Sequence, residues 1–310
     1  MTTIAVLIPC YNEESTIFKV VMDFKTILPQ AEIFVYDNNS TDETSKTAEQ
    51  AGANLRFESR QGKGNVIRSM FQQIEADCYL LVDGDDTYPS DEVLKLINPI
   101  LNDDADMVIG DRLSSTYFVE NKRKFHNFGN ILVRELINKI FKSEIQDILS
   151  GYRAFNKFFI KNFPILSTGF EIETEMTIHA LDKNFRIKEV PINYRDRPIN
   201  SISKLNTFKD GYKVIITILR LFMNLKPLVF FGLIFLVGLV SSSVLFIPIL
   251  NEYLRTGLVP RFPTLIMIGI IVTISLLSLV CGLILDTVCK KYNYLYEINL
   301  IRWLRENQKN

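Results

Sequence analysis

Three aspartates stand within four positions directly after an apolar run, in LLVDGDDTYPSDE at residues 80–92. Like charges this close repel. Asp83, Asp85 and Asp86 therefore mean either a cation held among them or a turn that water solvates. The first choice is chemically specific, because hard carboxylate oxygens are what Mg2+ and Mn2+ take as ligands. Two other apolar runs end in the same polar fashion, in IPCYNEES (8–15) and VYDNNSTDET (35–44).

These clusters need elements to hold them. Over the first 110 residues short apolar runs predict strands at Ile4–Ile8, Ile33–Asp37, Leu55–Glu58, Tyr79–Asp83 and Met107–Gly110. Helical spacing predicts helices at Glu14–Leu28, Asp42–Ala51, Gly64–Glu75 and Asp91–Leu101. Such alternation implies an α/β fold, a mostly parallel sheet with flanking helices, and ligands bind beyond the carboxyl ends of such strands. The polar clusters fall at those ends. A dinucleotide-binding Rossmann domain needs a glycine-rich turn after its first strand; that turn is absent, and Gly62-Lys63-Gly64 does not supply it. Residues 111–200 are less regular, with a helix near 126–141 and a strand at Ile187–Asn193.

The formal net charge is zero, which excludes a global basic field for nucleic acid. The apolar fraction of 47% is unevenly distributed, since residues 228–250 and 264–285 contain no charge. Each would form a helix of about 33–35 Å, enough to cross a hydrocarbon core of ~30 Å. Lys204, Lys209, Lys213, Arg220 and Lys226 precede the first span, and Lys290, Lys291, Arg302, Arg305 and Lys309 follow the second. The connector 251–263 has only Arg255 and Arg261, so the positive-inside rule puts both termini in the cytoplasm. The N-terminus does not read as a signal peptide. Residues 206–226 predict an amphipathic helix at the membrane interface. Cys10, Cys78, Cys281 and Cys289 show no metal-type pairing and read as reduced packing residues. The implied organisation is a cytoplasmic domain over 1–205, a juxtamembrane region 206–227, two transmembrane helices within 228–289, and a cytoplasmic amphipathic tail 290–310. Small residues on the first span (Gly232, Gly238, Ser241–Ser243) permit helix association and a homo-oligomer.

The ordered set PCYNEE, DNNSTDET, GKG, DGDDTYP, GDR, SGYRAF, FEIETE and SKLNTF resembles the family 2 glycosyltransferases of GT-A fold. The likeness is to their polyprenyl-phosphate branch, which includes dolichol-phosphate mannose synthases and bacterial undecaprenyl-phosphate sugar transferases. It covers residues 3 to about 215, and the two trailing spans match the bacterial members. The resemblance implies that Pro9, Tyr11, Asn12 and Glu14 form the nucleotide-binding loop and that Asp37 holds the uracil or ribose. Ser40 and Asp42 belong to the same pattern, although Asp42 reads equally as the N-cap of the next helix. Gly62-Lys63-Gly64 resembles the loop under the nucleotide, with glycines permitting close backbone approach and Lys63 meeting phosphate charge. Asp83 and Asp85 match the D-x-D motif, which implies Mg2+ or Mn2+ bridging the donor diphosphate. Dolichol-type relatives have a glutamine where this chain has Thr87, leaving Thr87 as ligand, water-bridged neighbour or bystander. Asp86 either helps the site or caps the turn before Pro89.

A polyprenyl phosphate acceptor is already ionised near neutral pH, so it needs cations to position it more than it needs a base. The resemblance implies phosphate contacts for Arg112, for Arg197 and Lys204, and for one of Lys122, Arg123 and Lys124, with Arg123 favoured; a solvated basic face also accounts for that cluster. Asp147 and Glu173 lie in segments that line the family's active site and imply positioning of the sugar or of the phosphate clamp. Their structural alternatives are a cap on the Ser150–Gly151 turn and an ion pair with Arg153. His126 and His179 lack metal-ligand spacing. The terminal NLIRW (299–303) nearly matches the Q-x-x-R-W signature of processive polysaccharide synthases, but it has Asn for Gln and follows both spans, so Trp303 reads as an interface anchor. The implied activity is an inverting, metal-dependent transfer of one sugar from a UDP-sugar to undecaprenyl phosphate at the cytoplasmic membrane face. Glucose or N-acetylglucosamine is the expected sugar, and the product would donate it to a cell-surface glycan. GDP-mannose as donor, a processive or sugar-hydroxyl transferase, and a membrane scaffold or flippase partner with an inactive domain are the rivals.

Overall fold

Strand β1 (Ile4–Cys10) is buried on nearly every residue, as expected of a strand covered by helices on both faces. The computed structural model describes residues 2–114, 124–195 and 207–307. The described elements continue with α1 (Ile17–Ile27), β2 (Glu32–Asp37), α2 (Thr44–Gln50), β3 (Asn54–Phe57), α3 (Lys63–Gln73) and β4 (Cys78–Leu81). After a 3-10 turn (Ser90–Glu92) follow α4 (Val93–Leu101), β5 (Met107–Asp111), α5 (Lys124–Phe141), β6 (Arg153–Asn156), α6 (Lys157–Asn162), α7 (Ile172–Asp182) and β7 (Ile187–Pro191). The chain ends with α8 (Thr207–Leu225), α9 (Pro227–Thr256) and α10 (Phe262–Asn307).

The sheet has seven strands in the order β3-β2-β1-β4-β6-β5-β7. All its pairings are parallel except those of β6, which runs antiparallel to β4 and β5. In register, Cys10 faces Asp37 and Leu7 faces Leu81, so β1, β2 and β4 end together on one edge. Because β6 is reversed, its first residue Arg153 pairs with Leu81 at that edge. The reversal brings the 147–152 segment to the same place as the aspartates that follow β4.

Periodicity does not reveal β6, and the reason is chemical. Its four residues, RAFN, open on an arginine with no exposed surface. Arg153 donates to the carbonyls of Ser150 (2.8 Å) and Ile148 (2.6 Å) and to the Thr177 hydroxyl (2.9 Å). Burial lowers its pKa to about 10. Helix α7 escapes for a related reason: Glu173, Thr174, Glu175 and Thr177 face inward, so no apolar stripe marks the helix. His179 packs among Phe159, Phe163 and Phe185, and burial lowers its pKa to about 3, which makes it a neutral core ring.

The chain divides into two compact units, Met1–Ile218 and Leu219–Asn310. In the second, α9 and α10 are both long and apolar enough to cross a membrane. Their most apolar windows are only 11% and 17% buried, unlike the core helix of a soluble protein. The two helices run antiparallel, with Gly282 against Phe231 and Gly238 against Ser275. A Cβ at Gly282 would lie 2.9 Å from that of Phe231, so these glycines serve pairing within the chain. Helix α10 does not stop after the apolar segment but continues through the tail to Asn307.

Candidate active site

The loop after β4 sorts its three aspartates by partner. Asp85 is 3% exposed and accepts from the Thr87 hydroxyl (2.7 Å) and backbone N–H (3.3 Å). Thr87 is thus a buried bracket for Asp85. Asp86 sits at φ +58°, a left-handed conformation that turns its carboxylate toward Lys19 (2.8 Å) and Arg195 (3.7 Å). The Arg195 N–H also donates to the Thr87 carbonyl (2.9 Å), so this loop is stitched to the segment after β7. Burial opposes the Lys19 charge, yet Asp23 and Asp86 together raise its pKa.

Asp83 has a different partner. The Lys63 ammonium lies 2.5 Å from Asp83 Oδ1 and 2.7 Å from Glu173 Oε1. The Lys63 and Glu173 side chains are 9% and 6% exposed, while Asp83 keeps 27%. Burial alone would strip the charge from Lys63, but the two carboxylates hold the ammonium well above its ordinary range. The Glu173 carboxyl is raised by burial, against the pull of Lys63 and with a contribution from the Asp83 charge. A Cβ on Gly151 would meet Asp83 Oδ2 at 2.7 Å and Lys63 Nζ at 3.1 Å. Gly151→Ala is expected to cost about 1–3 kcal/mol by overpacking, read as a lower melting temperature of the full chain.

The glycines flanking Lys63 also have a structural reason. Gly62 has φ +127°, and a Cβ on either glycine would collide with the backbone at Ser167 or Thr168. The Gly64 N–H donates to the Thr168 carbonyl (3.0 Å). The close approach that these glycines permit is to the chain's own 167–168 segment. Upstream, Glu58 anchors the same loop by accepting from Arg60 Nε and Nη2 (both 2.9 Å) and from the Ser69 hydroxyl. The Arg60 hydrogen bonds lower its pKa from 4.5 to about 2. A depressed carboxyl stabilises the fold above its unfolded pKa and loses that contribution as pH falls through its folded one. Thermal melts are therefore expected to fall between about pH 5 and pH 2, more steeply in the parent than in Glu58→Gln.

Beside this cluster, Arg112 and Asp147 form a two-pronged pair. Arg112 Nε donates to Asp147 Oδ2 (2.7 Å) and Nη2 to Oδ1 (2.9 Å), while the Arg112 backbone N–H donates to Oδ2 (3.1 Å). Asp147 is 1% exposed and Arg112 9%. Arg112 also donates to the Tyr88 hydroxyl (3.3 Å) and lies over the Tyr194 ring (5.7 Å). The Tyr88 hydroxyl accepts from the Gly151 N–H (2.9 Å), linking this pair to the glycine beside Asp83 and Lys63.

At the ends of β1 and β2 the polar residues knit two loops together. Asp37 accepts from the Ser40 N–H (3.0 Å) and the Ser45 hydroxyl (2.5 Å). The Asn12 N–H donates to the Ser40 hydroxyl (2.9 Å), and Asn12 Oδ1 accepts from the Thr41 N–H (2.8 Å). Glu14 Oε2 accepts from the Glu43 N–H (3.2 Å). Asp42 accepts from the N–H groups of Thr44 (3.1 Å) and Glu14 (3.2 Å), a turn-fixing role just ahead of α2. Pro9 is half-buried and Tyr11 exposed on this edge. Asn38, given no role by the sequence, bonds to the Glu58 and Arg60 carbonyls (2.8 and 2.9 Å) and accepts from the Gly62 N–H (2.7 Å).

The structure thus gathers Lys63, Asp83 and Glu173 into one cluster and ties Arg112 and Asp147 to it through Tyr88 and Gly151. Glu173 pairs with Lys63 rather than Arg153, and Asp147 with Arg112. Arg123, Lys122, Arg197 and Lys204 lie outside the described residues, as does the side chain of Lys124. Tyr88, Gly151 and Asn38 all fall inside quoted motifs, but nothing in their types signals which group they would touch.

The family model for glycosyl transferase family 2 matches residues 5–163. The glycosyltransferase AglJ of Haloferax volcanii is 34% identical over 230 residues, which are 74% of this chain and 75% of that one. The chain belongs to glycosyltransferase family 2. A dolichyl-phosphate hexose transferase of the same organism is 30% identical over 210 residues, covering 67% of this chain and 89% of its own. Glucosyl-3-phosphoglycerate synthase from Mycobacterium tuberculosis, solved with Mn2+, UDP-glucose and phosphoglyceric acid, superposes with a TM-score of 0.59 at 22% identity. That match covers 71% of this chain and 79% of the other and shows a shared GT-A fold.

In this glycosyltransferase no three His, Cys, Asp or Glu side chains converge on one point among the described residues. Asp83 and Asp85 offer hard oxygens at the end of β4, and Gly151 leaves space beside Asp83 Oδ2. That donor set fits a dication that takes its remaining oxygens from a bound diphosphate and water, not a metal caged by protein alone.

Proposed function

We propose that this glycosyltransferase transfers one sugar, with inversion, from a UDP-sugar to a polyprenyl phosphate at the cytoplasmic face of a membrane. Asp83 and Asp85 would hold Mg2+ or Mn2+, which when bound neutralises charge on the departing diphosphate. The single observation that carries the acceptor class is the engagement of the site's carboxylates. Asp83 and Glu173 share Lys63, Asp147 is paired with Arg112, Asp85 is bracketed by Thr87, and Asp111 accepts from the Leu113 and Ser114 N–H groups. A sugar hydroxyl needs a base to take its proton, whereas a phosphate monoester is ionised already. Two helices of membrane-crossing length and the likeness to a transferase named for dolichyl phosphate support the same acceptor.

In this reading Lys63 and Arg112 supply positive charge around the two phosphate groups, with Arg123, Arg197 and Lys204 completing the acceptor clamp. The loops carrying Pro9, Tyr11, Asn12, Glu14, Asp37 and Ser40 receive the nucleoside. Both termini face the cytoplasm, and the acceptor is undecaprenyl phosphate, with glucose or N-acetylglucosamine as the sugar. The test incubates the purified full chain with radiolabelled UDP-glucose, UDP-N-acetylglucosamine or GDP-mannose, with and without undecaprenyl phosphate. One sugar per extractable lipid from a UDP donor is the expected product. Label in a polymer, or incorporation independent of the lipid, refutes the acceptor, and label from GDP-mannose alone refutes the donor.

A further inference from the structure

We infer that Lys63 is a built-in counter-cation of Asp83, displaced when metal and nucleotide enter together, and that Glu173 is the anchor that retains it. The inference rests on the assignment of Asp83 and Asp85 as metal ligands. In the structure the ammonium lies 2.5 Å from Asp83 Oδ1 and 2.7 Å from Glu173 Oε1. A dication arriving alone at Asp83 would share one carboxylate with that ammonium, and two cations so close repel strongly where water is scarce. The Lys63 side chain is 9% exposed, so leaving Asp83 for open water is not a short step. Releasing it without a partner would strand a buried charge.

Glu173 removes that difficulty. It is 6% exposed, lies on α7, which Arg153 of β6 ties to the sheet through the Thr177 hydroxyl (2.9 Å), and already carries half of the ion pair. Lys63 can therefore swing off Asp83 while keeping its second carboxylate. Gly151 leaves no side chain in the space between them. A nucleoside diphosphate brings the negative charge that a dication and an ammonium on neighbouring groups require. Metal and nucleotide should accordingly bind with positive coupling, each raising the affinity of the other by the same factor.

The test measures Mn2+ binding to the full chain in detergent by the EPR signal of free Mn2+, with and without UDP. Parent protein is expected to bind Mn2+ weakly alone and about 5- to 150-fold more tightly with UDP, the usual span of such coupling. Lys63→Met is expected to bind Mn2+ without UDP about tenfold more tightly than the parent, because the competing cation is gone. Glu173→Gln is expected to weaken Mn2+ binding in the presence of UDP, because the displaced ammonium has lost its anchor. The two variants move in opposite directions, which loss of fold cannot imitate. Lys63→Met binding Mn2+ no tighter than the parent, with UDP-dependent binding of the parent intact, overturns this inference alone. So does Glu173→Gln binding as tightly as the parent with UDP. Parent protein that binds no Mn2+ even with UDP overturns the metal assignment and this inference with it.

Discussion

Asp147→Ala is expected to destabilise the first unit by about 3–5 kcal/mol, because it leaves the Arg112 guanidinium buried without its carboxylate. For a unit of this size that corresponds to a fall of roughly 6–20 °C in melting temperature. The magnitude follows from burial: the Arg112 and Asp147 side chains are 11% and 1% exposed and meet through two prongs. The exposed pair Lys188–Asp104, at 3.3 Å with side chains 46% and 53% exposed, makes the control. Asp104→Ala should change stability by about 1 kcal/mol or less. A double variant, Arg112→Met with Asp147→Leu, should recover much of the loss, because it removes both charges together. Thermal unfolding of the full chain in detergent distinguishes these outcomes. A drop for Asp147→Ala no larger than for Asp104→Ala would mean that the pair is solvated.

The second large effect concerns the aspartates after β4. Asp85→Ala is expected to lower the initial rate of lipid-linked product formation by about 10²–10³-fold, since a dication that polarises a phosphoryl group supplies several kcal/mol of charge stabilisation. Asp86→Asn should stay within about tenfold of the parent, roughly 1.4 kcal/mol. Its carboxylate faces Lys19 and Arg195, and those partners are supplied by α1 and by the segment after β7. Rates at saturating Mn2+ and donor measure both. Equal losses in the two variants would show that Asp86 shares the task of Asp85.

Much of this arrangement could be read from the chain. Strands β1, β2, β4 and β5 are largely apolar, buried runs, and a parallel sheet sends their carboxyl ends to one edge, so Asp37, Asp83 and Arg112 could be placed from the sequence. The two long apolar helices were legible because no charge interrupts residues 228–250 or 264–285. What the residues could not disclose were partners from distant parts of the chain. Lys63 finds Glu173 across 110 positions, and Arg112 finds Asp147 across 35. Strand β6 and helix α7 were hidden because each turns charge inward: Arg153 into backbone carbonyls, Glu173 onto a lysine. Glycines beside a lysine suggest room for a ligand, yet at Gly62 and Gly64 the chain's own 167–168 segment fills that room. The continuity of α10 was available in principle, since no glycine or proline stands between Leu283 and Asn307.

That continuity has a mechanical consequence. Helix α10 has 46 residues, about 69 Å at 1.5 Å per residue. Were its apolar segment to cross a bilayer, the hydrocarbon core would take about 20 of them and leave roughly 25 projecting as a stiff mast. Inserting one alanine between Leu285 and Lys290 would turn everything beyond it by about 100° and advance it by about 1.5 Å. The faces presented by Tyr292, Leu295 and Ile301 would then point to a different compass bearing, while the apolar span kept its length. The angular setting of the C-terminal region is thus written in the phase of a single helix.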